Sequence, residues 1–271
     1  MASFLYKNKE IYYQMEGQGK PILLLNGIMM SCASWEAFVP SFTERNTLIR
    51  IDFIDQGNSA RWEEAYTQDE QVEVMAALFH HLNLEKASIM GVSYGGEVGM
   101  KFAIKYPQHV DRLILANTSA RTSNWLGDIG HCWNRVGDTL DGEAYYDLAI
   151  PVIYSPSYYE RRAQWMSNRR KLLVPLFSTA EFQSRMKRLV NSAENHDCRK
   201  ELSKIQAPTL VISSQYDFLT PQQEQEFLVA NIKNSSHVII PDCGHASMYE
   251  QPMLFTALVL GFANAAQEYK I

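Results

Sequence analysis

Cysteine is scarce in this 271-residue sequence: Cys32, Cys132, Cys198 and Cys243 are scattered, with no C-x-x-C pair. That pattern argues against a disulfide framework or a zinc site and predicts reduced, buried thiols. There is no basic block either, and 25 Lys and Arg are outnumbered by 30 Asp and Glu, for a net charge of -5. Phosphate-backbone affinity comes from clustered cations, so a nucleic-acid partner is not expected. Long apolar runs are missing as well. None reaches the roughly 18 residues of a spanning helix, and the start, MASFLYKNKEIYYQMEG, lacks a basic stretch followed by an apolar one. The expectation is a cytoplasmic protein with no membrane span. No internal repeat is visible. What is present, 46% hydrophobic and 20% charged residues, excludes collagen, coiled coil and disorder and suits a globular chain with a small-molecule ligand. Homo-oligomerisation is left open.

Short apolar runs alternate with helix-length segments, the pattern of a mostly parallel sheet covered by helices. Ser3 to Lys7 and Glu10 to Glu16, joined at Asn8-Lys9, read as a hairpin. Further strands are expected at Pro21 to Leu25, Thr47 to Asp52, Ala87 to Met90, Arg112 to Ala116, Pro208 to Ser213 and Ser236 to Ile240, each rich in Ile, Leu and Val and followed by polar or Gly residues. Helices are expected near Ser34 to Thr43, Thr67 to Leu82, Gly96 to Tyr106, Pro221 to Asn231 and Gln251 to Ala265. The second begins with a capping box, Thr67-Gln68-Asp69-Glu70, ahead of Val74, Met75, Leu78 and Leu82 on one face. From Arg121 to Cys198 no strand is evident, while Trp125, Trp133, Tyr145, Tyr146, Tyr154, Tyr158, Tyr159 and Trp165 crowd together. That stretch reads as a helical insertion placed as a lid.

The sharpest motif is Gly91-Val92-Ser93-Tyr94-Gly95, directly after the strand ASIM and before the helix-like EVGMKFAIKY. It has the form of a nucleophile elbow, in which a tight strand-to-helix turn strains the serine backbone and small neighbours permit close approach. A serine hydroxyl is a weak nucleophile and needs a histidine base with a carboxylate behind it. Of seven histidines, His245 lies in the loop after the last apolar strand. His80 and His81 sit at a helix end, and His109, His131, His196 and His237 read as structural or surface residues. Asp217 follows the strand PTLVIS. Asp242 is the competing acid, but it is three residues from His245 on the same loop, where it suits shaping the turn. The order Ser93, Asp217, His245, with separations of 124 and 28 residues, is the order of this strand-elbow arrangement. Two amides are needed for the oxyanion. They are expected from Tyr94 after the elbow and from Ile28 in the loop Asn26-Gly27-Ile28-Met29-Met30, with Gly27 letting that loop turn back toward Ser93.

Together, LLLNGIMM, the segment Asp52 to Ser59, GVSYGG, QYDFLTP and PDCGHASMYEQP resemble the α/β-hydrolase fold superfamily over essentially the whole chain. Two departures are Asn26-Gly27, where most relatives have His-Gly, and Asp55, where glycine is usual. The Asn-Gly loop is similar to that of bacterial enzymes transferring 3-hydroxyacyl chains from acyl carrier protein. The resemblance implies an α/β fold with a mostly parallel eight-stranded sheet flanked by helices and a helical cap after the sixth strand. It assigns residues 1–120 and 199–271 to the core and 121–198 to the cap.

The first functional reading is a serine hydrolase of carboxylic esters, in which Ser93 attacks, His245 relays the proton, Asp217 orients His245 and water deacylates. This chemistry calls for no metal or organic cofactor. Met29, Met30, Trp125 and the Tyr-rich insertion suggest an apolar acyl pocket. The alternative is a thioesterase or acyltransferase acting on acyl-CoA or acyl carrier protein, with Arg161, Arg162, Arg169, Arg170 and Lys171 meeting the carrier. The plainer reading of those five is a solvated helix face. A third reading is a ligand receptor that has kept the triad. The insertion holds ten basic and nine acidic residues, so the acidity belongs to the rest of the chain.

Overall fold

A computed structural model describes residues 2–266. Its eight strands are β1 (Ala2–Tyr6), β2 (Lys9–Gly17), β3 (Lys20–Leu25), β4 (Asn46–Ile51), β5 (Ala87–Val92), β6 (Val110–Ala116), β7 (Thr209–Ser214) and β8 (Ser235–Ile240). They form one sheet in the order β1-β2-β4-β3-β5-β6-β7-β8. β1 and β2 pair antiparallel, β2 is antiparallel to β4, and the remainder is parallel. The apolar runs mark these strands because a parallel sheet covered on both faces buries nearly every side chain, as at β5 and β7. The hairpin turn falls on Lys7-Asn8, one residue earlier than expected. Both residues adopt positive φ, as the twist of a two-residue hairpin demands.

The helices are α1 (Val39–Thr43), α2 (Gln68–His81), α3 (Tyr94–Lys105), α4 (Asn124–Gly137), α5 (Gly142–Ala149), α6 (Pro156–Arg161), α7 (Ala163–Phe177), α8 (Ala180–Ala193), α9 (Gln222–Asn231), α10 (Ser247–Glu250) and α11 (Pro252–Asn264). The single helix expected at Ser34 to Thr43 is split into a 3-10 segment, Cys32–Phe38, followed by α1. Pro40 fits the break, since proline suits the first turn of an α-helix, where its missing N–H leaves no bond unmade. The capping box of α2 is half realised. Thr67 Oγ1 accepts from the Asp69 amide at 3.4 Å, but the Glu70 carboxylate turns to Lys7 Nζ at 2.6 Å. The thiol expectation also needs amendment, because Cys132 on α4 is exposed while the other three are buried.

Between residues 124 and 193 the chain forms α4 to α8, entered after β6 and left toward β7, and residues 1 and 267–271 of the expected core segments lie outside the described residues. Where the insertion leaves and rejoins the sheet, its two ends are laced together. The Cys198 amide donates to Ala120 O at 2.8 Å and the Thr122 amide to His196 O at 2.9 Å. Among the described residues no helix is long and apolar enough to cross a membrane.

The strand order reverses direction at β3. The chain first adds β4 on one side and then β5 on the other, so the carboxyl ends of β3 and β5 flank the topological switch point. Crevices for ligands form there in open α/β sheets.

Candidate active site

The six parallel strands β3 to β8 end at one edge of the sheet, and the loops after four of them carry the residues expected to do chemistry. Ser93 follows β5 with φ 53° and ψ -121°, a conformation costly for any side-chain-bearing residue. The local sequence permits it because Gly91, Gly95 and Gly96, on either side of the turn, have no side chain. A Cβ on Gly91 would lie 2.3 Å from Gly95 O, one on Gly95 2.4 Å from Leu25 O, and one on Gly96 2.7 Å from the Thr118 side chain. β5, α3 and the end of β3 therefore meet at backbone distance, and Ser93 sits at the sharp turn between them.

Asp217, in the loop after β7, is buried, and His245 is nearly so. His245 Nδ1 donates to both oxygens of Asp217, at 3.0 and 2.9 Å. This fixes the ring tautomer, leaving Nε2 with its lone pair on the opposite side. Asp217 further accepts from the amides of Leu219 and Thr220, both at 2.9 Å, and from Thr220 Oγ1 at 2.8 Å. Burial pushes the Asp217 carboxyl upward, but His245 and these donors outweigh it and hold it below the ordinary carboxylate value. Asp242 is directed elsewhere. At φ 49° it turns its carboxylate to Ser157 Oγ and to Arg161 Nη1 at 2.7 Å, joining the His245 loop to α6.

The loop after β3 brings Gly27 beside the serine, with a Cβ there lying 3.7 Å from Ser93 Cβ. Gln56 Nε2 donates to Gly27 O at 2.9 Å, and the Met30 amide closes a turn on the same oxygen at 3.1 Å. Among the described residues, the amides of Ile28 and Tyr94 donate to no other protein group. Asn26 is turned away from the cavity. Its Nδ2 donates to Ile51 O at 2.7 Å and its Oδ1 accepts from Trp35 Nε1 at 2.8 Å, tying the end of β3 to β4.

Ser93, His245, Ile28 and Tyr94 line one cavity of about 170 Å³. Its remaining wall is largely apolar and comes from both sides, with Met29 and Met30 from the β3 loop and Trp133, Ile153, Leu173 and Phe177 from the insertion. Trp125 does not contribute, contrary to expectation. It is mostly exposed, and its indole N–H donates to Phe218 O at 2.6 Å. Of the five cations, Arg161, Arg162 and Lys171 are exposed, as a solvated helix face requires. Arg161 pairs with Asp242 and Arg170 with Glu143 and Asp147, while Arg169 lines the cavity. His131, read as a surface residue, borders the cavity while remaining half exposed.

Three residues escaped the sequence reading. Asn117, at the end of β6 with φ 48°, donates from Nδ2 to Asp217 Oδ2 at 2.9 Å and to Ser214 Oγ at 2.8 Å, and accepts from Ser247 Oγ at 2.7 Å. Glu250 accepts from the Gly244 and Ser155 amides, each at 3.0 Å, and from Ser155 Oγ, clamping the His245 loop to the insertion. Glu97, one helical turn after Ser93, is buried beside the cavity, where desolvation pushes its carboxyl up to about 8. An Asn directly after an apolar strand and a Glu within the elbow helix were the available signals.

A family model described as alpha/beta hydrolase fold matches residues 20–153 and 159–252. The solved structure of MGS-M2, an alpha/beta hydrolase enzyme from a Medee basin deep-sea metagenome library, is 49% identical with a TM-score of 0.97, covering 100% of both chains. A thermophilic esterase from Thermogutta terrifontis is 26% identical with a TM-score of 0.81, over 94% of this chain and 93% of that one. The AB hydrolase superfamily protein YisY of Bacillus subtilis is 25% identical over 92% of this chain and 93% of its own. The chain belongs to the alpha/beta hydrolase fold family.

Proposed function

We propose that this alpha/beta hydrolase cleaves carboxylic esters of small or medium acyl groups through an acyl-enzyme on Ser93. The observation that carries the reading is the doubly hydrogen-bonded His245–Asp217 pair sharing one cavity with a serine held at positive φ. In this mechanism His245 Nε2 takes the Ser93 proton as Oγ attacks the ester carbonyl. The developing oxyanion is met by the amides of Ile28 and Tyr94, and Asp217 stabilises the imidazolium without itself taking a proton. His245 then protonates the leaving alcohol. A water activated by the same Nε2 releases the acid and regenerates the serine. The insertion, taken as a cap over residues 121–198, supplies the apolar acyl wall. Support also comes from likeness to a protein described as an esterase.

The carrier-dependent thioesterase or transferase reading has less support, since of the five cations invoked for it Arg161 and Arg170 are engaged by carboxylates and Arg169 lines the cavity. The test is reaction with a fluorophosphonate probe alongside turnover of p-nitrophenyl esters of graded length. Wild type is expected to label and turn over, whereas Ser93→Ala should lose labelling and about a thousandfold or more of kcat/KM. Equal labelling of the two proteins would refute the assignment.

A further inference from the structure

Within the mainly apolar cavity lies a cation with no counter-ion. Arg169, on α7, lines the same cavity as Ser93 and His245. Its Nε is buried without a hydrogen-bond partner. Its guanidinium carbon lies 5.2 Å from the ring centroids of Trp165 and Tyr249 and 5.9 Å from that of Tyr154. Among the described residues no carboxylate or carbonyl oxygen accepts from it. The contrast with the other arginines that are at least partly withdrawn from solvent is sharp. Arg50, Arg170 and Arg188 each hold carboxylates, Arg121 pairs with Glu224, Arg185 pairs with Glu181, and Arg112 donates to a backbone carbonyl. Of the carboxylates in the same cavity wall, Glu97 accepts from Gln68 and Glu194 faces His131 at 3.8 Å, while Glu250 of the His245 loop is engaged by Ser155 and Gly244.

Aromatic faces hold a guanidinium plane and take up part of its charge, but they offer no lone pair to its forked N–H groups. A partly desolvated cation kept in this state is unfavourable unless an anion completes it. Resting on the hydrolase reading above, we propose that Arg169 is a specificity-determining residue that recognises a carboxylate carried by the substrate, so that the preferred substrate is a half-ester or another monoanionic ester. A carboxylate fits the planar fork in a bidentate manner. One cation also balances one negative charge, whereas a phosphate dianion would leave charge uncompensated between largely apolar walls. Tyr154 and Tyr249 tie this group to the base loop, because the Tyr154 backbone abuts Gly244 and Tyr249 lies in α10, four residues after His245, anchored by its hydroxyl donating to Ser34 O at 3.2 Å.

The test measures binding, so that it does not depend on turnover. The full chain carrying Ser93→Ala is titrated calorimetrically with monoethyl adipate, diethyl adipate and monoethyl esters of shorter diacids. At least one half-ester is expected to bind about tenfold or more tightly than its neutral diester. Adding Arg169→Met should bring that ratio to within about twofold, while Arg169→Lys keeps part of it because the charge remains but the fork is lost. Arg169→Gln serves if the Met variant does not fold. No half-ester preference in the Ser93→Ala chain, a preference that survives loss of Arg169, or tighter binding of ethyl phosphate than of any half-ester would overturn the proposal. Fluorophosphonate labelling of wild type separates the two levels. Absence of labelling with an intact half-ester preference removes the hydrolase reading and leaves the carboxylate site.

Discussion

Ser93, Asp217 and His245 depend on residues of two different kinds, and the difference decides what a sequence can tell. The constraint on Ser93 is local. A positive φ between strand and helix requires glycine at 91, 95 and 96, and those glycines are written beside it. The constraint on Asp217 is remote. Asn117 is 100 positions away, and only the sheet brings its amide to the carboxylate. The same holds for Glu97, whose burial is set by Gln68 and by the returning end of the insertion. Its Oε2 accepts from Gln68 Nε2, and it is almost wholly buried. A carboxyl raised from 4.5 to about 8 by folding binds more protons folded than unfolded between those values, so it weakens the fold as pH rises through that window. His196 acts in the opposite sense lower down, since burial depresses it from 6.5 to about 4 and its contribution is lost as pH falls through that range. Above pH 7 His196 is neutral in both states and drops out of the comparison. Glu97→Gln should therefore stabilise the protein by about 2 kcal/mol or more at pH 9, with a smaller gain at pH 7 and least at pH 5. Denaturant melts at the three pH values check this, and a gain independent of pH would contradict the burial argument.

At the scale of elements, the strands were legible because burial on both sheet faces writes continuous apolar runs, while helix ends were less so because side chains there have competing partners. Glu70 illustrates this by abandoning the α2 cap for Lys7. The insertion was legible as helical and aromatic, but not in how it is fastened. Asp55, read only as a departure from glycine, turns out to be one of its anchors. At φ 67° its side chain is fully buried, accepting from Arg188 Nε at 2.9 Å and Nη2 at 2.6 Å on α8 and from Tyr66 Oη at 3.0 Å. Removing the two partners should not cost the same. Arg188→Met strands a carboxylate away from water with only Tyr66 Oη and the Trp62 amide, and should destabilise by about 3 kcal/mol. Asp55→Gly removes the buried charge, relieves the positive φ and leaves a guanidinium that is 23% exposed and able to reach solvent, so about 1 kcal/mol or less is expected. Thermal melts of the two variants compare these directly. Equal losses, or a greater loss for Asp55→Gly, would mean that the pair contributes nothing beyond its geometry.

For the whole molecule, the question is whether the insertion is a separate body resting on the sheet or part of the same folded unit. Alternation along the strands splits the interior in two. Leu23, Leu25, Ile49, Ile89 and Leu113 face α2, α3 and α9, whereas Ile22, Leu24, Leu48, Met90 and Ile114 face the other side with Trp35 and Phe255. The insertion enters both. Met186 and Leu189 of α8 belong to the first cluster, and Trp133, Tyr145, Tyr154 and Phe177 to the second. Its own helices thus have no core independent of the sheet, and Glu250, Asp242 and Asp55 add polar ties from the sheet loops. A unit that shares both cores should not melt ahead of them. Calorimetry is expected to give one transition with equal calorimetric and van't Hoff enthalpies, and the fluorescence of Trp125, Trp133 and Trp165 in the insertion, read in a Trp35→Phe, Trp62→Phe background, should coincide with loss of far-ultraviolet circular dichroism. An earlier fluorescence transition, with the sheet still folded, would instead make the insertion a detachable lid. In that case the cavity wall that holds Arg169 beside His245 would be present only part of the time, and binding of half-esters would weaken across that first transition rather than at global unfolding.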